Sequence, residues 1–390
     1  MISVDEALSR VLALCPQMPV ENVPLAQANG RVLAKAVAAK RDQPPFNAST
    51  MDGYAVQMAD IVIGANLKVI GESPAGGQFS GTVTSGTTVR IFTGGCVPVG
   101  ADAVLMQENT SRSGDIMTVT DLPQGAVHIR PKGADFSIGD TIKAPRRLNP
   151  ADIALLAAMN IASVPVTRKP IVAVIATGDE LVLPGETPGP TQIISSNNYA
   201  VKAVLEAQGA EVRLLPIARD NPESLKQVFA LTLGADMVVT LGGASVGDYD
   251  LIAPMAEELG LELDFYKIAM RPGKPLIAGK LGDIPMLGLP GNPVSSMVCS
   301  QVFLRPAIDV MLGLPAKPMP RQTFELAAPV PANGPREHYM RAVVSGGKCT
   351  AATNQDSGIM SVMAQSNALL VRAPNAPELP AGALVNCVLL

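Results

Sequence analysis

Residues 171–180 read IVAVIATGDE and indicate the architecture of the largest part of the chain. This stretch begins as an unbroken run of Ile, Val and Ala, which is typical of a strand buried on both faces of a parallel sheet. Similar runs follow in EVRLLPIA (211–218), DMVVTLGG (236–243) and IPMLGLP (284–290), and helical patterns such as SNNYAVKAVLEAQG (196–209) lie between them. Because strands and helices alternate, residues 169–315 are predicted to form a doubly wound, parallel α/β domain.

Three further regions flank this domain. Residues 41–145 are rich in Pro and Gly and contain short alternating runs such as TTVRIF (87–92), which predicts a β-rich domain. Residues 1–40 and 146–168 carry helical and extended patterns, and we expect them to form one N-terminal domain into which the β-rich segment is inserted. Residues 316–390 return to short strands and predict a small C-terminal β-barrel, so the chain is a multidomain α/β protein.

The composition argues against several classes of protein. The net charge is −4 and Lys and Arg are scattered, whereas nucleic-acid-binding proteins usually present a basic face. The sequence has no run of about 18 apolar residues, and its N-terminus lacks the pattern of a signal peptide. The five cysteines form no C-x-x-C pair, which argues against a disulfide framework or a zinc knuckle. We therefore expect a cytoplasmic protein that binds neither nucleic acid nor membrane.

Polar residues concentrate in four loops of the α/β region. Ligands bind doubly wound sheets beyond the carboxyl ends of the strands, so we expect these loops to converge. The candidates are Glu180 in TGDELVLPGE; Gly242, Gly243, Ser245, Asp248 and Asp250 in LGGASVGDYD; Arg271 and Lys274 in RPGKP; and Gly291, Asn292 and Ser295 in PGNPVS.

The residue types in these loops suit a phosphorylated ligand. Glycine amides can approach an anion closely, and Lys and Arg neutralise phosphate charge. The carboxylates of Glu180, Asp248 and Asp250 are hard oxygen ligands of the kind that Mg²⁺ prefers. The loops together predict a Mg²⁺-assisted site for a phosphorylated small molecule, although each loop alone could also be an ordinary turn or helix start.

The β-rich region contains two unusual stretches. PPFNASTMDGYAV (44–56) contains Asp52 before a glycine, and IFTGGCVPVGADAVLMQE (91–108) contains Thr93 directly after a predicted strand. Asp-Gly and Gly-Gly are also common in simple turns, so a purely structural role remains an alternative for both.

Taken in order, these stretches resemble the molybdopterin molybdenumtransferases, the molybdenum insertases called MoeA in bacteria, and also the gephyrin E domain. RPKGADFSIGD (130–140) and RPGKPLIAGKL (271–281) belong to the same series, and the likeness covers residues from about 5 to 390. The resemblance implies a homodimer whose site lies between the α/β domain of one subunit and the N-terminal motifs of the other. On that pattern Asp52, Thr93, Glu180, Asp236 and Asp248 are catalytic, and Lys267, Arg341 and Ser357 join the substrate-binding loop residues.

The resemblance also implies the reaction. Adenylylated molybdopterin and molybdate react with the help of Mg²⁺ or a similar divalent ion, AMP leaves, and the dithiolene carries molybdenum. The upstream adenylyltransferase and other proteins of cofactor biosynthesis are candidate partners. Three positions depart from common family patterns: Arg271, Ser195 and Asp356. Two other functions stay open, a molybdopterin adenylyltransferase of the same fold and a non-catalytic pterin-binding scaffold.

Overall fold

The computed structural model describes residues 1–123, 125, 127–243, 258 and 260–390. The chain divides into two compact units, of which one is Asn22–Val166 and the other combines Met1–Glu21 with Thr167–Leu390. Helix α1 (Val4–Leu14) opens the second unit. Within the described ranges, no helix combines the length and apolar character needed to cross a membrane.

The unit Asn22–Val166 is built mainly of short strands. They are β1 Val20–Pro24, β2 Val32–Leu33, β3 Val37–Ala38, β4 Ala48–Ser49, β5 Gly53–Val56, β6 Asn66–Ser73, β7 Thr87–Ile91, β8 Ala103–Met106, β9 Thr110–Ser113, β10 Ile116–Val119, β11 Ile129–Arg130, β12 Thr141–Ile142, β13 Arg146–Arg147 and β14 Ser163–Thr167. A six-stranded sheet has the order β8-β5-β7-β6-β10-β9. Tyr54 and Val56 pack in one apolar cluster and Ala55 in another, because alternate residues of β5 face opposite sides of the sheet.

A second sheet of this unit packs against helix α2, Pro150–Ala158, and has the order β1-β14-β2-β13. Asn149 caps the start of α2, because its side chain accepts a hydrogen bond from the Asp152 amide at 2.9 Å. The Asp152 carboxylate in turn accepts from the Asn149 amide at 3.0 Å, which completes a capping box. Leu156 on α2 joins Leu33 and Val164 in the core beneath this sheet.

The α/β part of the other unit contains a six-stranded sheet. Its elements are β15 Ile171–Ala176, β16 Leu181–Val182, β17 Ile193–Ile194, α3 Asn197–Gln208, β18 Glu211–Leu214, α4 Pro222–Ala230, β19 Met237–Leu241, β20 Leu261–Tyr266, β21 Met270–Arg271, β22 Ile277–Leu281 and β23 Ile284–Leu289. The strand order is β18-β15-β19-β23-β22-β20, and the first four strands are parallel. The antiparallel pairing of β22 with both neighbours modifies the all-parallel sheet that the alternation predicted.

The helices that follow β23 form a continuous helical segment with one irregularity. α5 spans Pro293–Cys299, a π-helical turn spans Ser300–Leu304, and α6 spans Arg305–Met311. Pro306 has no amide hydrogen to donate one turn back, which explains why the α-helical bonding pattern is interrupted before it.

The C-terminal part closes into the predicted barrel. β24 spans Arg321–Leu326, β25 Glu337–Ser345, β26 Lys348–Ala351, α7 Met360–Ala364, β27 Ala368–Arg372 and β28 Leu384–Leu389. Five strands run in the order β25-β26-β24-β28-β27, and the pairing of β25 with β27 closes the ring. Strand β21 attaches to β25 in parallel, which joins the barrel to the α/β part of the unit.

Candidate functional site

The carboxyl ends of the central parallel strands meet above a cavity of about 520 Å³. Strands β15, β19 and β23 run in register, with Ala176 beside Leu241 and Leu241 beside Leu289, so the loops that follow them lie at one edge. The predicted residues that line the cavity are Glu180, Gly242, Gly243, Gly291 and Asn292. The structure thus brings together residues from three of the four loops.

Gly242 and Gly243 give this edge its tight backbone. Both have positive φ, 94° and 63°, which L side chains adopt only with strain. A Cβ atom on Gly242 would lie 2.8 Å from the backbone oxygen and the hydroxyl of Thr177, so only glycine fits between these loops. The cavity is therefore bordered by bare backbone, as close approach to a bulky anion requires.

Three carboxylates gather at one side of the cavity. The Asp220 carboxylate accepts a hydrogen bond from the Asp179 amide at 3.3 Å, and the Asp179 carboxylate accepts from the Asp220 amide at 3.1 Å. Both Asp220 and Glu180 line the cavity. Burial raises the pKa of Asp220 above its ordinary value, and the negative charges of Asp179 and Glu180 add to that rise.

Arg219 holds the loop that carries these carboxylates. Its guanidinium donates to the carbonyl oxygens of Gly178, Asp179 and Leu181 at 3.0–3.2 Å. Sequence patterns do not single out Asp220, because it stands beside Asn221, whose side chain caps α4. The signal that could have found it is its position after β18, at the carboxyl edge of the sheet.

Amide side chains border the opposite side of the cavity. Asn197 donates to the carbonyl oxygen of Gly291 at 2.7 Å, and Asn292 donates to the Ser357 hydroxyl at 3.3 Å. The Val294 amide donates to the Ser357 carbonyl at 3.1 Å. Ser357 therefore reaches this rim from the C-terminal part of the chain. Ser295 lies one residue further along α5 and is buried.

The predicted cations lie in the segment that precedes β22. Lys267 has a positive φ of 70°, and its ammonium group lies 4.7 Å from the centre of the Tyr266 ring. Arg271 and Lys274 are exposed, and Lys274 precedes Pro275, which lines the cavity. The exposed side chains of Arg271 and Lys274 are accessible to a negatively charged ligand.

Arg341 is a fully buried cation on β25. One guanidinium nitrogen, Nη2, donates to the carbonyl oxygen of Asn354 at 3.1 Å, whereas Nε and Nη1 have no hydrogen-bond partner among the described residues. Burial lowers the pKa of Arg341, and the charge of Asp356 opposes that effect. Buried polar groups are normally hydrogen-bonded, so we expect ordered water or an anion to accept from these two nitrogens.

Ser195 and Asp356, two of the positions that depart from common family patterns, also make defined hydrogen bonds. Ser195 lines the cavity and donates to the Asn198 side-chain oxygen at 3.2 Å. The Asp356 carboxylate accepts from the Gly358 amide at 2.8 Å and so shapes the turn that presents Ser357.

Asp236 does not lie at this site, which corrects the expectation that it is catalytic. It precedes β19 and therefore occupies the amino end of that strand, at the edge of the sheet opposite the cavity. Its two carboxylate oxygens accept from Arg168 at 2.9 and 2.7 Å, and one also accepts from the Ile171 amide at 2.7 Å. Asp236 thus links the segments that lead into β15 and β19.

Asp52 and Thr93 form a separate pair in the unit Asn22–Val166. One Asp52 carboxylate oxygen accepts from both the amide and the hydroxyl of Thr93, each at 2.7 Å. These bonds lower the pKa of Asp52, and the charge of Arg90 lowers it further. Arg90 is held between the rings of Tyr54 and Phe92, at 5.1 and 4.9 Å.

Of the three predicted metal ligands, two lie outside the described residues. Ser245, Asp248 and Asp250 lie outside the described residues. Among the residues that are described, no group of three or more His, Cys, Asp or Glu side chains is arranged to hold a metal ion. Glu180 is the predicted metal ligand whose position is described.

Comparison with known proteins identifies the family. Models for the "MoeA N-terminal region (domain I and II)", the "Probable molybdopterin binding domain" and the "MoeA C-terminal region (domain IV)" match residues 2–160, 173–310 and 323–390. The molybdopterin molybdenumtransferase of a Nostoc species is 36% identical, over 95% of this chain and 90% of the relative. That of Haemophilus influenzae is 38% identical over 80% and 78%.

Solved structures agree with this assignment. Two structures of the molybdopterin biosynthesis MoeA protein of Pyrococcus horikoshii match with a TM-score of 0.86, at 30% and 27% identity. They cover all of this chain and at least 99% of theirs. The chain therefore belongs to the molybdopterin molybdenumtransferase family, whose members are enzymes of molybdenum cofactor biosynthesis.

Proposed function

We propose that this protein transfers molybdenum from molybdate to adenylylated molybdopterin and releases AMP. In this reaction the phosphoanhydride of the adenylylated pterin is cleaved, and the dithiolene sulfurs take up the molybdenum. The observation that carries the proposal is the cavity above β15, β19 and β23, which is lined both by bare glycine backbone and by the carboxylates of Glu180 and Asp220. Such a cavity suits a ligand that is both anionic and held through a cation.

The glycine-rich side of the cavity is proposed to hold the phosphates. Gly242 and Gly243 keep side chains away from the ligand, and Asn292 offers amide hydrogens at the rim. Lys274 and Arg271 are exposed close by in sequence to the cavity-lining Pro275, so they can add positive charge when the ligand arrives. This arrangement orients the phosphoanhydride while leaving the pterin end free to extend outward.

The carboxylate side is proposed to take Mg²⁺ or a similar divalent ion. Glu180 and Asp220 supply hard oxygen atoms in the cavity, and Asp248 and Asp250 are further candidates. The fit is supported by the raised pKa of Asp220, which reflects burial and neighbouring negative charges that a divalent cation would neutralise. When bound, such an ion would polarise the phosphoanhydride and neutralise the charge of the leaving phosphate.

Asp52 and Thr93 are proposed to act on the same substrate from a second copy of the chain. The family resemblance supports this homodimer, and the two short hydrogen bonds from Thr93 keep the Asp52 carboxylate ionised and fixed. An ionised, oriented carboxylate can accept a proton from the attacking group or hold a cation that accompanies molybdate. Negative charge alone would repel molybdate, so nearby Arg90 is part of the same proposal.

We also propose the domain boundaries given by the sequence: 1–40 with 146–168, 41–145, 169–315 and 316–390. The proposal is supported by the three matched ranges, which leave gaps near residues 161–172 and 311–322. It is further supported by the compact unit Asn22–Val166, which contains the whole β-rich segment.

The test is a product assay on purified full-length protein. Adenylylated molybdopterin is supplied with and without molybdate, and AMP is quantified beside a Glu180→Gln variant and an Asp283→Asn control, whose carboxylate is exposed in a loop outside the cavity. We expect molybdate-dependent AMP release by the wild type and control and a loss of at least about tenfold in Glu180→Gln. ATP consumption with pyrophosphate release would instead identify an adenylyltransferase, and pterin binding without turnover would identify a scaffold.

A further inference from the structure

Arg219 contacts the loop that carries Glu180 through a single nitrogen atom. This nitrogen, Nη1, donates to three carbonyl oxygens of the loop, those of Gly178 and Asp179 at 3.2 Å and that of Leu181 at 3.0 Å. Arg219 itself stands between β18 and α4 and lies outside the set of described residues that line the cavity. Its guanidinium therefore acts on the backbone beside the cavity.

The loop 178–181 has a hydrogen-bond donor at each of its four carbonyl oxygens. Arg219 serves three of them, and the fourth, that of Glu180, accepts from the Ile193 amide at 2.8 Å. Ile193 begins β17, which pairs in parallel with the strand that follows the loop. Three of the four bonds that fix this backbone thus depend on one side chain.

The convergence of three carbonyl oxygens explains why a cation stands at this position. Carbonyl oxygens that point toward one place repel each other, because each carries partial negative charge. The Arg219 guanidinium supplies both positive charge and N–H donors, and hydrogen bonds from an ionised donor are stronger than those from a neutral one. We expect the loop to open when this group is removed.

The Glu180 side chain lies against the backbone of its own loop. A Cβ atom at Gly178 would lie 2.7 Å from the carboxyl carbon of Glu180, so the carboxylate rests directly on the bare backbone of Gly178. Gly178 also has a φ of 146°, which an L residue adopts only with strain. The position of the Glu180 carboxylate in the cavity wall therefore depends on the backbone that Arg219 holds.

The charge of Arg219 also acts on the neighbouring carboxylates. Burial raises the pKa of Asp220, the charges of Asp179 and Glu180 add to that rise, and the charge of Arg219 opposes it. Because the bonds from Nη1 go to carbonyl oxygens, they leave the Glu180 carboxylate available to a ligand. Arg219 thus moderates the repulsion among the carboxylates without occupying their oxygens.

We propose that Arg219 is a positioning residue that holds the Glu180 carboxylate in place for the reaction, through the backbone of residues 178–181 and without touching the substrate. The inference rests on the proposed function, in which Glu180 faces the substrate. Loss of Arg219 should lower turnover more than substrate affinity, because the phosphates are assigned to a different loop, the one that contains Gly242 and Gly243.

The test compares full-length wild type with Arg219→Ala, Arg219→Lys and Arg213→Ala. Lysine keeps the positive charge and carries three N–H donors on one nitrogen, so it is the conservative variant. Arg213→Ala is the matched control. The Arg213 guanidinium also donates to a carbonyl oxygen, that of Leu233 at 3.2 Å, but Leu233 precedes β19 and so lies toward the opposite edge of the sheet.

Hydrogen–deuterium exchange of the unliganded protein tests the positioning role without the reaction. The Ile193 amide reports opening of the loop, because its acceptor is the Glu180 carbonyl oxygen. We expect peptides that cover residues 178–194 to exchange at least about tenfold faster in Arg219→Ala, Arg219→Lys to be intermediate, and Arg213→Ala to match wild type in this segment. Unchanged exchange in Arg219→Ala would overturn the proposal, as would an equal rise throughout the α/β part.

The AMP assay with molybdate tests the consequence for turnover. We expect kcat to fall at least about tenfold in Arg219→Ala, KM to change less than about threefold, and Arg219→Lys to recover part of the loss. An unchanged kcat, or an equal loss in Arg213→Ala, would overturn the proposal. If wild type releases no AMP, the proposed function fails, and the exchange result alone decides whether Arg219 positions the loop.

A second variant covers the case in which Arg219→Ala does not fold. Arg219→Gln keeps N–H donors but is neutral and too short to serve all three carbonyl oxygens, so it takes the place of Arg219→Ala in both assays. The same increase in exchange and the same fall in kcat are expected, and wild-type values in both would contradict the proposal.

Discussion

At the scale of single residues, the Asp52–Thr93 pair shows how a short side chain can set the charge of an exposed carboxylate. Both donors to Asp52 come from one residue, since the amide and the hydroxyl of Thr93 approach the same oxygen. Hydrogen bonds to the ionised form stabilise it and lower the pKa. A mutation can remove the hydroxyl of Thr93 and keep the amide. The contribution of the hydroxyl to the pKa of Asp52 can therefore be measured separately.

We predict that Thr93→Val raises the pKa of Asp52 toward its ordinary value. The variant keeps the amide bond and the shape of the side chain but removes the hydroxyl donor. Carbon-13 NMR titration of the Asp52 carboxyl measures the shift, with Thr93→Ser as the matched control that retains both bonds. We expect molybdate-dependent AMP release to fall about tenfold in Thr93→Val and little in Thr93→Ser. An unchanged Asp52 pKa in Thr93→Val would contradict this account.

A second prediction at this scale concerns pH. Below pH 6.5 the unfolded chain begins to protonate His338, whereas the folded protein holds it neutral until about pH 4. Protons then bind preferentially to the unfolded state, so stability falls as the pH drops from about 6.5 to 4. His338→Gln should lack this component, and urea unfolding across that range measures the difference. Parallel pH profiles for wild type and variant would refute the prediction.

At the scale of secondary structure, the parallel strands separate structural from ligand-facing carboxylates. A residue just after a strand, such as Glu180 after β15, lies at the ligand edge, whereas Asp236 just before β19 lies at the opposite edge. Glu180 and Asp236 are both acidic residues in polar loops. Their different roles follow from their positions after and before a strand.

We predict that Asp236→Ala destabilises the fold without affecting substrate binding. The variant loses the paired hydrogen bonds from Arg168 and the bond from the Ile171 amide, which should cost about 2 kcal/mol of unfolding free energy. The KM for adenylylated pterin should stay unchanged at a temperature where the variant is folded. A raised KM or a lost kcat together with unchanged stability would instead indicate that Asp236 acts in the substrate site.

Much of the secondary structure could be predicted from the sequence, and the differences from the structure have physical reasons. The apolar runs and glycines of 171–180, 236–243 and 284–293 were sufficient to locate the loops at the ligand edge. The family likeness does not specify at which end of a strand a residue lies, and Asp236 lies before β19. Asp220 was missed because Asn221 next to it provides a genuine helix cap. The closure of the barrel by β25 and β27 depends on partners distant in sequence, which local patterns do not specify.

At the scale of the whole molecule, we propose that a second copy of the chain completes the site. Asp52 and Glu180 belong to different compact units, and the family resemblance implies that they meet across a dimer. A homodimer built this way has two identical sites, each formed by both subunits. Damage to different residues in the two subunits should then leave one site intact.

We predict that mixing two inactive variants restores activity. Asp52→Ala and Glu180→Ala should each be inactive alone, but purified mixed dimers should recover about half of wild-type AMP release, since each keeps one of its two sites intact. The two variants carry different tags and are co-expressed, so that the mixed dimer can be purified through both tags. AMP release by the mixed dimer is then measured, with each variant alone as control. No recovery in purified mixed dimers would mean that the site is formed within one chain.

We propose that the cavity above β15, β19 and β23 holds the phosphates of adenylylated molybdopterin. The most direct measurement is a crystal structure of the Glu180→Gln variant, chosen to slow turnover, soaked with that ligand. We predict that the phosphoanhydride lies in the cavity beside Gly242, Gly243 and Asn292. Phosphate density at the opposite edge of the sheet, near Arg168 and Asp236, or an empty cavity with the ligand bound elsewhere, would contradict the account.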